Sequence, residues 1–444
     1  MQLILNPPVG EWKQLCERPS EDNPVVRERV ESILARVRKD GDAALRALSQ
    51  EIDGVALGVL EVSEAEFAEA EKTVSAPVKA AIEAAIRNIR AFHEAQRPRP
   101  VELETQPGVR CLQKAVPIRR VGLYIPGGSA PLFSTVLMLA VPAQVAGCPE
   151  IVLCTPVMRS PIKPGMTGTA TAPSWPTRSA IPAPEVLYAA KRCGVTRVFK
   201  AGGAQAIAAM AFGTESIPQV DKIFGPGNQY VTTAKQLLGG RAVAIDMPAG
   251  PSEVMVLADA TARPAFVAAD LLSQAEHGPD SQVMLVTDDA DFARETLREV
   301  ERQLALLPRR DIAEKALEKS RALIVNTREE MIALANTYGA EHLILQVEDP
   351  WAIAGKITSA GSVFVGPWSP ESAGDYASGT NHTLPTCGWA RACSGVNLDS
   401  FLRKITFQEL SRDGLGALAP TITTMAEAEG LQAHANAVKI RLEP

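Results

Sequence analysis

The sequence has little of what marks several other classes of protein. Its formal net charge is −6, so no excess of basic residues favours binding to nucleic acid or to an anionic membrane surface. The seven cysteines are scattered, and they form neither a C-x-x-C metal pattern nor a paired disulfide framework. We therefore expect no nucleic-acid partner and a reducing, cytoplasmic setting.

Long hydrophobic runs are also absent. The longest apolar stretch, 130–147, is interrupted by Ser134, Thr135, Pro142 and Gln144, which makes it too short and too polar to span a bilayer. Residues 1–10 lack the basic start and apolar core of a secretory signal peptide. We therefore expect no association with a membrane.

The composition is that of a folded chain, with 46% hydrophobic and 22% charged residues over 444 positions. Helical spacing of apolar residues dominates 24–96, and after about residue 119 short β-branched runs alternate with helical segments. This alternation predicts parallel sheets covered by helices, hence an α/β fold. The predicted strands are 121–125, 151–155, 196–200, 253–258, 282–287, 322–326, 342–347 and 362–365.

Three predicted strands run directly into glycine-rich turns that open helices. These turns are PGGS at 126–129, GGAQ at 202–205 and GPGN at 225–228. Such turns present backbone N–H groups and the positive end of a helix dipole, which suits a pyrophosphate. The usual G-x-G-x-x-G fingerprint is missing after the first strand, so the turns indicate nucleotide binding without identifying it.

Only five histidines occur, and four of them lie after residue 270 beside carboxylates, amides or glycine-rich turns. Gln274 and His277 are three residues apart at the end of a helical pattern, so both point to one side. The other members of this set are Glu341 and His342 at the start of a strand-like run, Asp375 and His382 around a polar loop, and Glu429 and His434 on the terminal helix. Imidazole, carboxylate and amide oxygen are ligands that Zn²⁺ accepts. Spacing alone leaves open whether these residues share a metal or are each satisfied locally.

The motifs around these residues resemble those of the histidinol dehydrogenases over about residues 26–441. They are GLYIPGG at 122–128, GPGN at 225–228, AGPSE at 249–253, SQAEHGPD at 273–280, GAEHL at 339–343 and ESAGDYASGTNH at 371–382. The resemblance implies a zinc enzyme that oxidises L-histidinol to L-histidine with two NAD⁺ in succession, through an aldehyde held on the enzyme. It also implies an intertwined homodimer with shared active sites.

Residue roles follow from the same resemblance. It implies a zinc ion in each subunit, with Gln274, His277, Asp375 and His434 as ligands, and the catalytic pair Glu341 and His342. Substrate contacts are implied for Ser252, Gln274, His277, His342, Asp375, His382, Glu429 and His434. Nucleotide contacts are implied for Tyr124, Gln205 and Asn228. The Glu429 and His434 of a site are expected to come from the partner chain.

The chemistry of the reaction suits the catalytic pair. Removing hydride from a primary alcohol also requires removing its proton, and an imidazole with a pKa near ~6.5 can accept it at neutral pH. The second oxidation needs water added to the aldehyde, which a positioned carboxylate can activate. We therefore assign alcohol deprotonation to His342 and water activation to Glu341.

The predicted architecture has two Rossmann-like parallel-sheet domains, a helical N-terminal region and a C-terminal helical extension. The predicted division is an arm at 1–22, a main α/β domain at 23–123 and 252–396, an inserted nucleotide-binding domain at 124–251, and an extension at 397–444 that reaches the partner subunit. Segment 158–184 has six prolines and no acidic residue. It departs from the family pattern, and we expect it to be a mobile surface loop.

Two other functions stay open at this point. A related zinc- and NAD-dependent dehydrogenase could act on another alcohol, such as a sulfonated propanediol, although Ser252, His382 and Glu429 favour histidinol. A non-catalytic zinc- or nucleotide-binding protein is the third possibility. The Glu341-His342 pair argues against it.

Overall fold

The computed structural model describes residues 1–18, 23–127, 132–157 and 181–444. The segment 158–184, predicted to be a mobile loop, lies outside the described residues up to residue 180. Gly128 and Ser129 of the glycine-rich turn at 126–129 lie outside them as well. Among the described residues, no helix is both long enough and apolar enough to cross a membrane.

The elements alternate as the sequence predicts for an α/β protein. The helices are α1 (Trp12–Leu15), α2 (Pro24–Leu48), α3 (Glu64–Thr73), α4 (Ala76–Glu94), α5 (Phe133–Ala146), α6 (Pro184–Arg192), α7 (Gly203–Phe212), α8 (Gln229–Leu238), α9 (Pro264–Ala275), α10 (Ala290–Leu304), α11 (Arg310–Glu318), α12 (Arg328–Tyr338), α13 (Pro350–Ala354), α14 (Glu371–Tyr376), α15 (Arg412–Ala428) and α16 (Gln432–Leu442). The strands are β1 (Gln2–Leu5), β2 (Val101–Gln106), β3 (Val109–Pro117), β4 (Arg120–Tyr124), β5 (Glu150–Thr155), β6 (Arg197–Lys200), β7 (Lys222–Phe224), β8 (Ala244–Ile245), β9 (Glu253–Ala258), β10 (Gln282–Thr287), β11 (Arg321–Ile324), β12 (Ala340–Gln346), β13 (Ala360–Val365) and β14 (Leu402–Leu410).

The larger sheet is parallel throughout, in the order β1-β11-β10-β9-β12-β13. Every residue of β9, β10 and β12 is buried. Helix α12 packs on one face of the sheet, and α9, α10 and α11 pack on the other. Burial on both faces explains why these strands read as continuous apolar runs in the sequence.

A second parallel sheet has the order β6-β5-β4-β7-β8. Helices α3, α4, α5 and α6 cover one face of it, and α2, α7 and α8 cover the other. Helices α2, α3 and α4 therefore pack on this five-stranded sheet, whereas α1 packs against α12. The predicted division groups 23–123 with 252–396, and the apolar faces of α2 and α4 are buried against the five-stranded sheet.

The C-terminal region combines a strand with a helical pair. Strand β14 pairs with β3, and β3 pairs with β2, in an antiparallel sheet that leaves β14 exposed along most of its length. Helices α15 and α16 pack on each other and are separated at Gly430, whose φ is +74°. The sequence predicts a helical C-terminal extension, but not the strand before the helices.

Candidate active site

Three of the four predicted zinc ligands and the catalytic pair lie at one edge of the six-stranded sheet, where its parallel strands begin. Gln274 is in the last turn of α9 and His277 follows the end of that helix. Glu341 and His342 are the second and third residues of β12. Helix α9 leaves the carboxyl end of β9 and returns to the amino end of β10, so its last turn must lie at the amino edge. The fold therefore brings together residues that are far apart in sequence.

Helix α14 supplies two carboxylates to this edge. Glu371 and Asp375 are four residues apart, which places them on the same side of the helix. Their ligand atoms and one ring nitrogen of His277 all lie within 4.8 Å of one another. A cluster of imidazole and carboxylate atoms at this spacing fits a cation of the kind predicted.

Glu371 is a site residue that the sequence reasoning does not predict. Its side chain is 1% exposed, and Oε1 lies 3.9 Å from His342 Nδ1. Burial raises the pKa of Glu371 to about 8, and the neighbouring carboxylates add to the shift. A divalent cation at the cluster would favour the ionised form. The signal that could have identified Glu371 is its spacing of four residues from Asp375.

Gln274 is fully buried and lies against Glu371. The orientation of its amide follows from this neighbour, because only the amide nitrogen can donate to carboxylate oxygens. In that orientation the nitrogen reaches both oxygens of Glu371, one of them at 3.2 Å. The amide oxygen then faces away from Glu371.

The Nδ1 atom of His342 faces hydrogen-bond acceptors, whereas its Nε2 atom has no hydrogen-bond partner within the described residues. Nδ1 donates to the main-chain carbonyl of Glu253 at 3.4 Å and lies 3.6 Å from Glu341 Oε2. Nε2 is buried, makes no hydrogen bond within the described residues, and lies 3.6 Å from Asp375 Oδ1. Although burial favours the neutral ring, the carboxylates of Glu371, Glu341 and Asp375 raise the pKa of His342 well above its usual value. Nε2 is therefore the nitrogen available to a ligand.

Glu341 is held in place by the neighbouring strand. Its Oε2 accepts a hydrogen bond from the main-chain N–H of Glu253 at 2.9 Å. Burial raises the pKa of Glu341, while the nearby His342 ring opposes the shift. One carboxylate oxygen is thus fixed by β9, next to the ring of His342.

The protonation of the remaining ligand candidates follows from their surroundings. Surrounding protein atoms lower the pKa of His277 even though its side chain is exposed, and Asp375 acts in the opposite direction. For Asp375 burial favours the neutral acid, yet the nearby ring of His342 lowers its pKa, as do His382 and His277. A neutral imidazole beside an ionised carboxylate is the pairing that a metal ion requires.

His382 connects the site to the second sheet. Its Nδ1 donates to the main-chain carbonyl of Asp375 at 2.9 Å, and its Nε2 lies 3.3 Å from the hydroxyl of Thr135 on α5. Because a carbonyl only accepts, Nδ1 carries the proton, and the Thr135 hydroxyl donates to Nε2 of the neutral ring. Burial lowers the pKa of His382, which agrees with this tautomer.

Ser252 lies immediately before Glu253 and is partly buried.

The structure does not bring Glu429 and His434 to the other predicted site residues of the same chain. Glu429 caps the end of α15 and His434 lies in the first turn of α16, and both are exposed. Among the described residues, neither side chain contacts the cluster at the amino edge of the six-stranded sheet. A single chain therefore holds three of the four predicted zinc ligands.

The predicted nucleotide contacts lie at the carboxyl edge of the five-stranded sheet. Tyr124 ends β4, Gln205 is in the first turn of α7 after β6, and Asn228 caps α8 after β7. The buried Tyr124 hydroxyl accepts a hydrogen bond from Gly203 N–H at 3.0 Å. Asn228 Oδ1 accepts from the first N–H groups of α8. Both polar groups thus shape the turns themselves.

The chain is similar to known proteins over almost its whole length. The family model described as histidinol dehydrogenase matches residues 16–442. Histidinol dehydrogenase of Bacteroides fragilis is 56% identical over 443 residues, which cover 100% of this chain and 99% of that protein. The protein of the same name from Escherichia coli strain K12 is 53% identical over 433 residues, 97% of this chain and 94% of its own length. The crystal structure of histidinol dehydrogenase from Elizabethkingia anophelis superposes with a TM-score of 0.92 at 50% identity, covering 100% of this chain and 98% of that one. The chain therefore belongs to the histidinol dehydrogenase family.

Proposed function

We propose that this protein oxidises L-histidinol to L-histidine through an enzyme-held aldehyde, using zinc and two NAD⁺ in succession. The observation that carries the proposal is the convergence of His277, Asp375 and Gln274 beside the pair Glu341 and His342. These residues come from three elements that are distant in sequence, and family membership gives their common function.

Gln274, His277 and Asp375 of one chain, together with His434 of a second chain, would hold the zinc. When bound, zinc would hold and orient the amine and imidazole of histidinol, and NAD⁺ would accept the hydride in each oxidation. The donor set fits a borderline cation, since it offers one imidazole nitrogen, one carboxylate and one amide oxygen. The unpaired Nε2 of His342 next to this cluster provides a base beside the bound alcohol.

His342 would take the alcohol proton at Nε2. Its Nδ1 proton is committed to the Glu253 carbonyl, so the lone pair of the neutral ring is at Nε2. The carboxylates of Glu371 and Glu341 stabilise the imidazolium that forms, because they lie 3.9 and 3.6 Å from Nδ1. This arrangement raises the basicity of the ring, as proton abstraction requires.

Glu341 would activate the water that adds to the aldehyde before the second oxidation. Its Oε2 is occupied by the Glu253 N–H, which leaves Oε1 to accept a proton from water. The raised pKa of this buried carboxyl makes it a stronger base than an exposed glutamate.

Tyr124, Gln205 and Asn228 would shape the nucleotide site at the carboxyl edge of the five-stranded sheet. The predicted inserted domain at 124–251 contains all three. His382 and Thr135 connect this edge to the candidate active site, so a nucleotide there can reach a substrate held by the cluster. Ser252, His382 and Glu429 would complete the contacts to histidinol.

We further propose a homodimer in which the partner supplies His434 and Glu429, acting in the cytoplasm. The C-terminal region supports this, because β14, α15 and α16 expose Phe407, Met425 and Ile440. Mixing two variants that form almost no histidine, Glu341→Gln and His434→Ala, and measuring histidine formation tests the shared site. Random exchange of subunits should restore about a quarter of the wild-type activity, since half of the dimers then contain one intact site. No recovery after verified exchange would contradict the shared site.

The function itself is tested by measuring NADH and histidine from purified protein, histidinol, zinc and NAD⁺. We expect two NADH for each histidine, loss of activity with a chelator, and recovery with zinc. A panel that includes a sulfonated propanediol distinguishes the alternative substrate. Absence of NADH from histidinol in the zinc-loaded protein would refute the proposal.

A further inference from the structure

We infer that Glu371 is a positioning residue for zinc binding, which acts by fixing the orientation of the Gln274 amide. This inference rests on the proposed function, because it concerns the same zinc. Glu371 is the first residue of α14, and its side chain is 1% exposed behind the cluster. The inference adds to the proposed zinc site one residue that was not among the predicted ligands.

The contact between the two side chains carries the argument. Gln274 is fully buried, and its amide nitrogen faces both carboxylate oxygens of Glu371, one at 3.2 Å. An amide has one donating and one accepting end, and only its oxygen can bind a cation. By accepting from the nitrogen, the carboxyl group of Glu371 turns the amide oxygen to the opposite side.

Without this contact, Gln274 would present its nitrogen to the cation in part of the molecules. The free energy of binding would then include the cost of selecting one orientation and of desolvating the amide. His277 and Asp375 do not depend on Glu371 in this way, because a carboxylate can bind a cation through either oxygen and a neutral imidazole binds through its one unprotonated nitrogen. The effect of Glu371 should therefore pass through Gln274 alone.

Direct binding of the cation by Glu371 is the competing arrangement, since one of its oxygens lies within 4.8 Å of the His277 and Asp375 ligand atoms. If Glu371 bound the cation itself, its loss and the loss of Gln274 would weaken binding independently. If it acts through Gln274, its loss should have no further effect once Gln274 is gone. This difference determines the experiment.

The test measures the zinc affinity of the full-length protein by competition with a chelator, in the absence of histidinol and NAD⁺. Glu371→Asp keeps the charge but withdraws the carboxylate by one methylene, and we expect it to weaken zinc binding by about tenfold or more. In the Gln274→Ala background the same change should alter the affinity by less than about twofold. Asp270→Asn is the matched control: Asp270 is a buried carboxylate one helical turn before Gln274, and it bonds to Gln346 rather than to the cluster. It should bind zinc like the wild type.

Three results would overturn the inference: wild-type affinity in Glu371→Asp, an undiminished effect of that change in the Gln274→Ala background, or an equal loss in Asp270→Asn. Thermal unfolding of each variant shows whether it is folded, and comparison is made between folded variants. Failure of the proposed function is distinct. In that case the wild type itself would bind no zinc that is sensitive to His277→Ala.

Discussion

Arg18 and Glu253 form a buried ion pair behind the candidate active site, and Arg18→Met tests what it contributes to stability. Arg18 Nε and Nη2 each donate to Glu253 at 2.8 Å, and the guanidinium lies 3.7 Å from the centre of the Tyr338 ring. The Glu253 side chain is 2% exposed. In Arg18→Met its carboxylate would keep the longer contact with the Tyr338 hydroxyl, at 3.4 Å. The variant therefore leaves a buried negative charge without its cation.

The expected loss of stability follows from the burial of the ion pair. Removing one partner of a buried pair costs about 3–5 kcal/mol, most of which is the penalty for the charge left behind. We expect this loss in the free energy of unfolding for Arg18→Met. In Arg18→Met/Glu253→Gln both charges are gone, so the double variant should lose about 2–3 kcal/mol less than the sum of the single losses.

Urea unfolding at one fixed protein concentration measures these values. The matched control is Arg36→Met, because Arg36 makes the same bidentate pair with Glu51 at 2.8 Å but the two side chains are 39% and 53% exposed. We expect it to cost less than about 1 kcal/mol. Equal losses of stability in Arg18→Met and Arg36→Met would show that burial does not determine the strength of this pair. The same conclusion would follow if the losses of Arg18→Met and Glu253→Gln added up to the loss of the double variant within about 0.5 kcal/mol.

Three further predictions concern the site and the nucleotide edge. Glu341→Gln should retain zinc but slow the oxidation of the aldehyde by about 10²–10⁴-fold, which separate assays with histidinol and its aldehyde would measure. An unchanged second oxidation would show that Glu341 does not activate the water. Thr135→Val takes the hydroxyl from His382 Nε2 and should raise the KM for histidinol about fivefold, or about 1 kcal/mol, whereas Thr135→Ser should not. Gly225→Ala should lower the free energy of unfolding in urea by about 3 kcal/mol or more, since φ is +124° and a Cβ would lie 2.1 Å from a carbonyl oxygen. Gly240→Ala, with φ +71° and open space around it, should lower it by only about 1–2 kcal/mol.

Much of the fold could be predicted because the six-stranded sheet is buried on both faces. Strands 253–258 and 282–287 were predicted with the bounds observed for β9 and β10. Their apolar runs end at turns, so the sequence marks both boundaries. Strand β14 could not be found in this way, because its side chains are mostly exposed and the polar–apolar alternation at 404–408 spans only five residues. Its pairing depends on β3, almost three hundred residues earlier in the chain.

The site was predicted where local spacing or the family resemblance supplied a signal. Gln274 and His277 lie at the same helix end, and Asp375 lies within the long motif at 371–382. Glu371 was missed even though it stands in that motif four residues before Asp375, because this spacing alone does not show that the carboxylate is buried against Gln274. Its importance appears only when α14 packs against α9 and the carboxylate is buried beside Gln274.

The two sheet edges differ in the sign of the field that their helices produce, and this difference matches the ligands proposed for them. At the carboxyl edge of the five-stranded sheet, α7 and α8 begin, and helix N-termini carry partial positive charge that favours phosphates. At the amino edge of the six-stranded sheet, α9 ends beside Gln274, and a helix C-terminus carries partial negative charge that favours a cation. The carboxylates of Glu371 and Asp375 add to that negative field. Ligands usually bind at the carboxyl ends of parallel strands, so a metal at the amino ends is the arrangement to expect when the ligand is positive rather than negative.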